Sequence, residues 1–292
     1  MAIENYGTGK ITSTDLFLRD AFNFLNDRKD ASWVLQAWFQ QKDAKFYKGL
    51  TPEQLALVLQ NVSHVRKVDY RVEQVLSRLA ERHLEAVWDF FAARLHRESD
   101  EDIFEDRFEA VPFKFHGLEK ELSKDPQLAI RKGLSWFSKD STLFQYRGGR
   151  LLSNIFPKCT QEFATALANL VSTGGDTEAE FALEILPNYE GDPSIYVVLK
   201  EIVSRYPDDE HKMNTVRVSI DSTGVVTGEM GFADALRNRK VLLSTWLTDG
   251  RPTVMAFAER HINELNLRIA AEHRRAETDS EMRKRNFSES GD

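Results

Sequence analysis

The stretch DPSIYVVLKEIVSRYP, residues 192–207, decides how this chain is read. Ile195, Val198, Leu199, Ile202, Val203 and Tyr206 stand at i, i+3, i+4, i+7, i+8 and i+11, which is one apolar stripe on an α-helix. Asp192 is a good N-cap, Pro193 suits a first turn, and Pro207 stops the helix. The spacing predicts a helix over 193–206.

The same pattern recurs on both sides. Val72, Val75, Leu76, Leu79, His83, Val87, Phe90 and Phe91 predict a long helix near 67–97. Val254, Phe257, Ala258, His261, Ile262, Leu265 and Ile269 predict another, opening after Gly250-Arg251-Pro252. Only VRVSID at 216–221 alternates with period two, and a lone strand cannot satisfy its backbone. The chain is therefore read as all-α.

From residue 126 the expected helices cover 126–138, 141–156, 160–172, 176–187, 193–206, 209–222, 231–247 and 252–285. Taken in pairs they begin near 126, 160, 193 and 230, so the units are about 34, 33 and 37 residues apart. One helical hairpin cannot bury its apolar face alone, and stacked neighbours share a continuous core. The expectation is an α-solenoid of stacked helical hairpins; the competing reading is an irregular bundle of hairpins with similar lengths.

The N-terminal part is helical but less regular, with candidates at 13–27, 31–42, 51–62 and 67–97, where Ser13, Asp30 and Thr51-Pro52 make reasonable starts. The stretch 98–124 breaks the pattern. Glu98, Asp100, Glu101, Asp102, Glu105, Asp106 and Glu109 face the single base Arg107, and Val111-Pro112 disfavours helix. It reads as a connector or as a long ordered loop. The resulting division is an N-terminal helical region 1–105, a connector 106–124 and a repeat array 125–292 with a long C-terminal helix.

The repeats resemble HEAT or armadillo-type helical repeats. The likeness is carried best by residues 224–277, and within them by TWLTDGRPTVMAFAERHINEL at 245–265. There a Trp246-Leu247 helix end meets an Asp249-Gly250-Arg251-Pro252 turn, followed by a helix of apolar residues interleaved with charge. The segment is similar to tails that end large bacterial helical-repeat proteins, some of which resemble multi-domain NTPases or antiviral-defence proteins. The resemblance implies a fold and a scaffolding habit. It transfers no catalytic residue.

Composition narrows the possible chemistry. The 292 residues are 41% hydrophobic and 29% charged, with 15 Gly and 8 Pro, an ordinary globular mixture that excludes collagen and Gly-rich linkers. A formal charge of −7 gives no global basic field to gather phosphates, so nucleic acid is a disfavoured partner. The one cysteine, Cys159, allows neither an intrachain disulfide nor a cysteine-based zinc site. No N-terminal run of signal-peptide type and no long apolar window occurs, so no membrane span is expected and a cytoplasmic location is the default.

Few motifs carry chemistry. Gly7-Thr8-Gly9-Lys10 lacks the earlier glycine and the following Ser/Thr of a phosphate loop. Gly224, Gly228 and Gly231 have no strand-loop-helix context for a dinucleotide. The seven histidines form no HExxH pair, and the acidic run 98–109 lacks calcium-loop spacing. Cys159 follows Pro157-Lys158 at a helix start, where its pKa could fall, yet single cysteines are usually inert small hydrophobes. No cofactor, metal or catalytic residue is expected.

Two groups remain as partner-binding candidates. Tyr146, Arg147 and Arg150 flank Gly148-Gly149, a basic-aromatic spot that can stack or grip anions. The bland reading is that the glycines permit close packing and the arginines snorkel outward. Arg274 and Arg275 lie on the last helix, beyond the fading apolar stripe; a helix over 252–285 is about 50 Å long. There Asp279–Arg283 and Glu281–Arg285 have i,i+4 spacing. The expected function is a non-enzymatic interaction module that takes a protein or peptide partner, with the regulatory part of a larger bacterial assembly as a further reading. The alternative is a HEAT-like nucleic-acid binder or DNA glycosylase, for which the five tryptophans would have to line a channel rather than a core.

Overall fold

The computed structural model describes residues 15–37, 47, 49–97, 108–222 and 230–289. All regular structure among them is helical. The chain divides into two compact units, Met1–Pro157 and Lys158–Asp292.

In the first unit, α1 (Asp15–Asp27) packs on α3 (Pro52–Val62), with the short α2 (Val34–Ala37) between them in the chain. The Thr51 signal works as read: its side chain accepts from Gln54 N, and Gln54 returns a bond to Thr51 N, a capping box that satisfies two orphan donors. The long stripe becomes α4 (Tyr70–Leu95), capped by Asp69 and interrupted at His83 (φ −131, ψ 48). Its fully buried face, including Leu76, Leu79, Trp88 and Phe91, receives α5 (Leu118–Leu122) and α6 (Pro126–Lys139). Burial of each such side chain contributes about 2 kcal/mol.

Three buried polar side chains hold this unit where the chain is not helical. Asn61 accepts from Trp33 Nε1 at 2.6 Å and donates to Asp30 O at 3.1 Å. Glu73, fully buried, accepts from His116 N at 2.7 Å and Leu118 N at 3.5 Å, and so caps α5. Gly117 precedes that helix at φ 141, a conformation that glycine tolerates and other residues rarely adopt. Arg94 donates to the carbonyls of Ser63, Val65, Arg66 and Glu109 at 2.5–3.2 Å. The described part of the acidic stretch is therefore ordered within the first unit, with Phe115 edge-on to Phe91 and Leu118 and Leu122 buried.

The helix expected at 141–156 runs as α7 (Ser141–Leu143), a π-helical turn (Phe144–Gly148) and α8 (Gly149–Ile155). The Phe144 ring occupies the space where a Cβ on residue 148 would stand. Gly148 thus leaves room for a ring of its own turn. The π turn itself left no period in the sequence to read.

The second unit holds α9 (Gln161–Thr173), α10 (Asp176–Ile185), α11 (Ile195–Arg205), α12 (Glu210–Asp221), α13 (Gly231–Ser244) and α14 (Pro252–Glu289). Helix α9 packs on α11, and α10 on α12. Ile195 lies 34 residues after Gln161, and Glu210 lies 34 residues after Asp176, so both members of the hairpin advance by the same step. Each pair is also tied by a basic side chain. Arg205 donates to Val171 O and Gly174 O at the end of α9. Lys212 reaches Asp176 at the start of α10, with Nζ–Oδ1 2.7 Å. The third pair departs from this order: α13 lies against α12, whereas α14 crosses α11.

One local expectation is corrected, and the helix expected over 209–222 is present. Asp192 is not the N-cap of α11, which opens at Ile195 after Ser194. Its carboxylate instead accepts from Ser194 N at 2.9 Å and from Cys159 N at 3.2 Å, holding the loop before α11 to the segment before α9. The VRVSID alternation loses to helix because Val216 and Ile220, four apart, are buried while Val218 is exposed.

Candidate functional site

Within the first unit, Tyr146 lies in the π turn and is 75% exposed. Arg150 begins α8, is exposed, and carries its guanidinium 5.4 Å from the Phe113 ring centroid. Phe113 is 82% exposed, and sequence reasoning passed over it because it sits inside the irregular 98–124 stretch. An arginine over an exposed ring is a cation–π pair already aligned. Arg147 does something different. Its Nη1 donates to Leu95 O at 2.7 Å and Arg97 O at 2.9 Å, closing the C-terminal end of α4. The structure thus brings Arg150 to Phe113 and commits the Arg147 head to the fold.

Arg274 and Arg275 are exposed on α14. On that helix Val254, Phe257, Ala258, His261, Ile262 and Leu265 are buried, and no described side chain after Leu265 is. The Asp249–Arg251 turn that opens the helix is an ion-pair knot. Arg251 grips both Asp249 oxygens at 2.8 and 3.0 Å and reaches Glu201 on α11 at 2.8 Å, while Lys200 stands 3.3 Å from Asp249. The Arg251 hydrogen bonds hold the Asp249 carboxyl well below the usual carboxylate range.

The second unit also has a polar centre that the sequence did not reveal. His261, 3% exposed, stacks on Phe257 and sets Nε2 3.3 Å from Asp221 Oδ1. Arg268 donates to Asp221 Oδ2 at 2.6 Å. Burial pushes the Asp221 carboxyl up, but His261 and Arg268 outweigh it, leaving it below its ordinary value. Arg239 on α13 is 6% exposed, and its Nη1 has no hydrogen-bond partner among the described residues. It borders a cavity of about 150 Å³ between α11, α12 and α13. His261 stood on a legible apolar stripe. Asp221 and Arg239 read as ordinary surface charges, because their convergence depends on how three helices pack.

The remaining candidates resolve as follows. The Cys159 thiol is pushed up to about 12 by burial and by the nearby Asp192 carboxylate, so its helix-start position does not activate it. Trp88, Trp136 and Trp246 are core residues, and Trp33 is half-buried and hydrogen-bonded to Asn61. Gly231 opens α13. Gly7–Lys10, Gly224, Gly228, Trp38 and most of the acidic run lie outside the described residues. Among the described residues no His/Cys/Asp/Glu group could hold a metal ion, and no helix is long and apolar enough to cross a membrane. Comparison with protein families, curated proteins and solved structures finds no match for this chain.

Proposed function

We propose that this chain is a non-enzymatic interaction module that engages a protein or peptide partner through Tyr146, Phe113 and Arg150. The observation that carries this reading is the exposed Phe113 ring with Arg150 already lying over it, and Tyr146, four residues before Arg150, exposed as well. Aromatic and arginine side chains dominate interface energetics, and here two large rings stay in water although an acidic, charge-rich chain had other residues to offer. Arg147 serves the patch indirectly, by fixing the turn that bears Tyr146. Arg274 and Arg275, on a helical face without buried residues, offer a second contact point.

The helical-repeat resemblance belongs to the same proposal. The second unit is the beginning of a HEAT-like solenoid, two hairpins stacked at a 34-residue step and closed by a third hairpin of reversed order. The α9–α11 and α10–α12 pairings support it.

A photo-crosslinking side chain substituted for Tyr146 tests the function in cells. The expected result is a protein adduct of discrete mass that vanishes when Arg150→Glu is added. A control crosslinker replacing the exposed Lys124 should give no such adduct. Equal yields from both positions would overturn the reading, and a nuclease-sensitive adduct would favour nucleic acid instead.

A further inference from the structure

We propose that the cavity between α11, α12 and α13 binds a small organic monocarboxylate, with Arg239 holding its carboxylate. The site is separate from the Tyr146 patch and does not rest on the interaction reading. Arg239 is buried, and its Nη1 faces no acceptor among the described residues. A buried guanidinium with an unmade bond is costly, and natural folds rarely leave one without a bound partner. Asp221 acts on Arg239 electrostatically but makes no hydrogen bond with its Nη1. Asp221 gives Oδ2 to Arg268 and has Oδ1 3.3 Å from His261.

The lining selects the ligand class. Ile195 and Leu242 supply apolar wall, while Tyr196, Ser219 and Asn238 supply polar groups beside Arg239. About 150 Å³ is the size of a cavity that accommodates one benzene-sized body. A guanidinium pairs with a carboxylate through two parallel N–H donors, which fixes the orientation of a short ligand. The charge of the ligand is limited too. Among the described lining residues Arg239 is the only cation, and the Asp221 carboxylate is close enough to interact with it, so a dianion such as phosphate meets repulsion that a monoanion feels less.

Calorimetry and ligand-observed NMR on the full chain test this with butanoate and benzoate against their neutral amides and inorganic phosphate. Carboxylates should bind at least about tenfold more tightly than the amides, the step expected when a charge-assisted pair replaces a neutral bond. Phosphate should bind more weakly than either carboxylate. Arg239→Gln should abolish the preference for the carboxylate, and Leu242→Trp should block the cavity while leaving the guanidinium in place. Because the carboxylate-against-amide comparison uses the unaltered protein, it decides the matter even if a variant fails to fold. Equal binding of acid and amide, or no binding by any carboxylate at millimolar concentration, overturns the proposal.

Discussion

In the second unit two hairpins advance by one constant step, and Arg205 and Lys212 tie each new helix to its predecessor. In the first unit the corresponding steps are unequal, 37 residues from α1 to α3 and 36 from α2 to α4, and Glu73 and Arg94 on the long α4 bond backbone groups that lie mostly in loops. Both units bury apolar stripes, but they treat polar groups differently. In the second unit the buried Lys212 and His261 face partly exposed carboxylates. The irregular one takes polar side chains into the interior to satisfy backbone that no helix satisfies. Both units bury polar side chains; those of the first serve loop backbone, and those of the second face carboxylates or border a cavity.

That contrast predicts where each unit is fragile. Arg94→Ala should have the largest effect, about 4 kcal/mol of stability, because four carbonyls lose one buried donor together. Hydrogen exchange should show faster opening in α3–α5 with α9–α12 still protected. Equal loss in both units would break the comparison. Leu199→Ala, at a fully buried position on α11, should cost about 3 kcal/mol by leaving a cavity, with the exchange pattern reversed.

The pH response should also differ. Burial raises the Glu73 carboxyl above its ordinary 4.5, so the folded state of the first unit holds that proton longer than the unfolded chain does. Its contribution is therefore greatest at low pH and is lost as pH rises through the folded value. Asp221 and Asp249 are lowered, so their contribution is complete above the ordinary 3.8 and lost as pH falls through their folded values. Urea midpoints followed by exchange in each unit should rise less with pH in the first unit, where Glu73 opposes the lowered Asp30 and Glu53 carboxyls, and Glu73→Gln should steepen that rise. The smallest effect is expected from Arg251→Ala. Its side chain is 34% exposed, so loss of the knot should cost about 1 kcal/mol or less and be masked further by salt, as thermal melts at two ionic strengths would show.

Legibility followed the same divide. Helices α6 and α9–α14 were readable to within a few residues, because they carry apolar stripes and, α13 apart, a cap or a proline at an end. The first unit was readable where it follows the same rules, as at Thr51-Pro52 and Asp69. The His83 break, the π turn and α5 were not, since each answers to a packing partner rather than to a period. Tyr146 and Arg150 were legible as an aromatic beside arginines. Phe113, which completes the patch, was hidden in a loop whose path depends on Arg94 and Glu73.

The amino-acid sequence by itself determined the helical class, most helix boundaries and the acidic surface, because these depend on local spacing, capping and residue type. Only the tertiary structure decided which arginines stay free. Arg94, Arg147 and Arg205 end on backbone carbonyls, Arg150 lies on an exposed ring and Arg239 borders a cavity. The reason is physical. A guanidinium looks the same in every sequence, and its role is set by the acceptors that distant segments bring within about 3 Å of it.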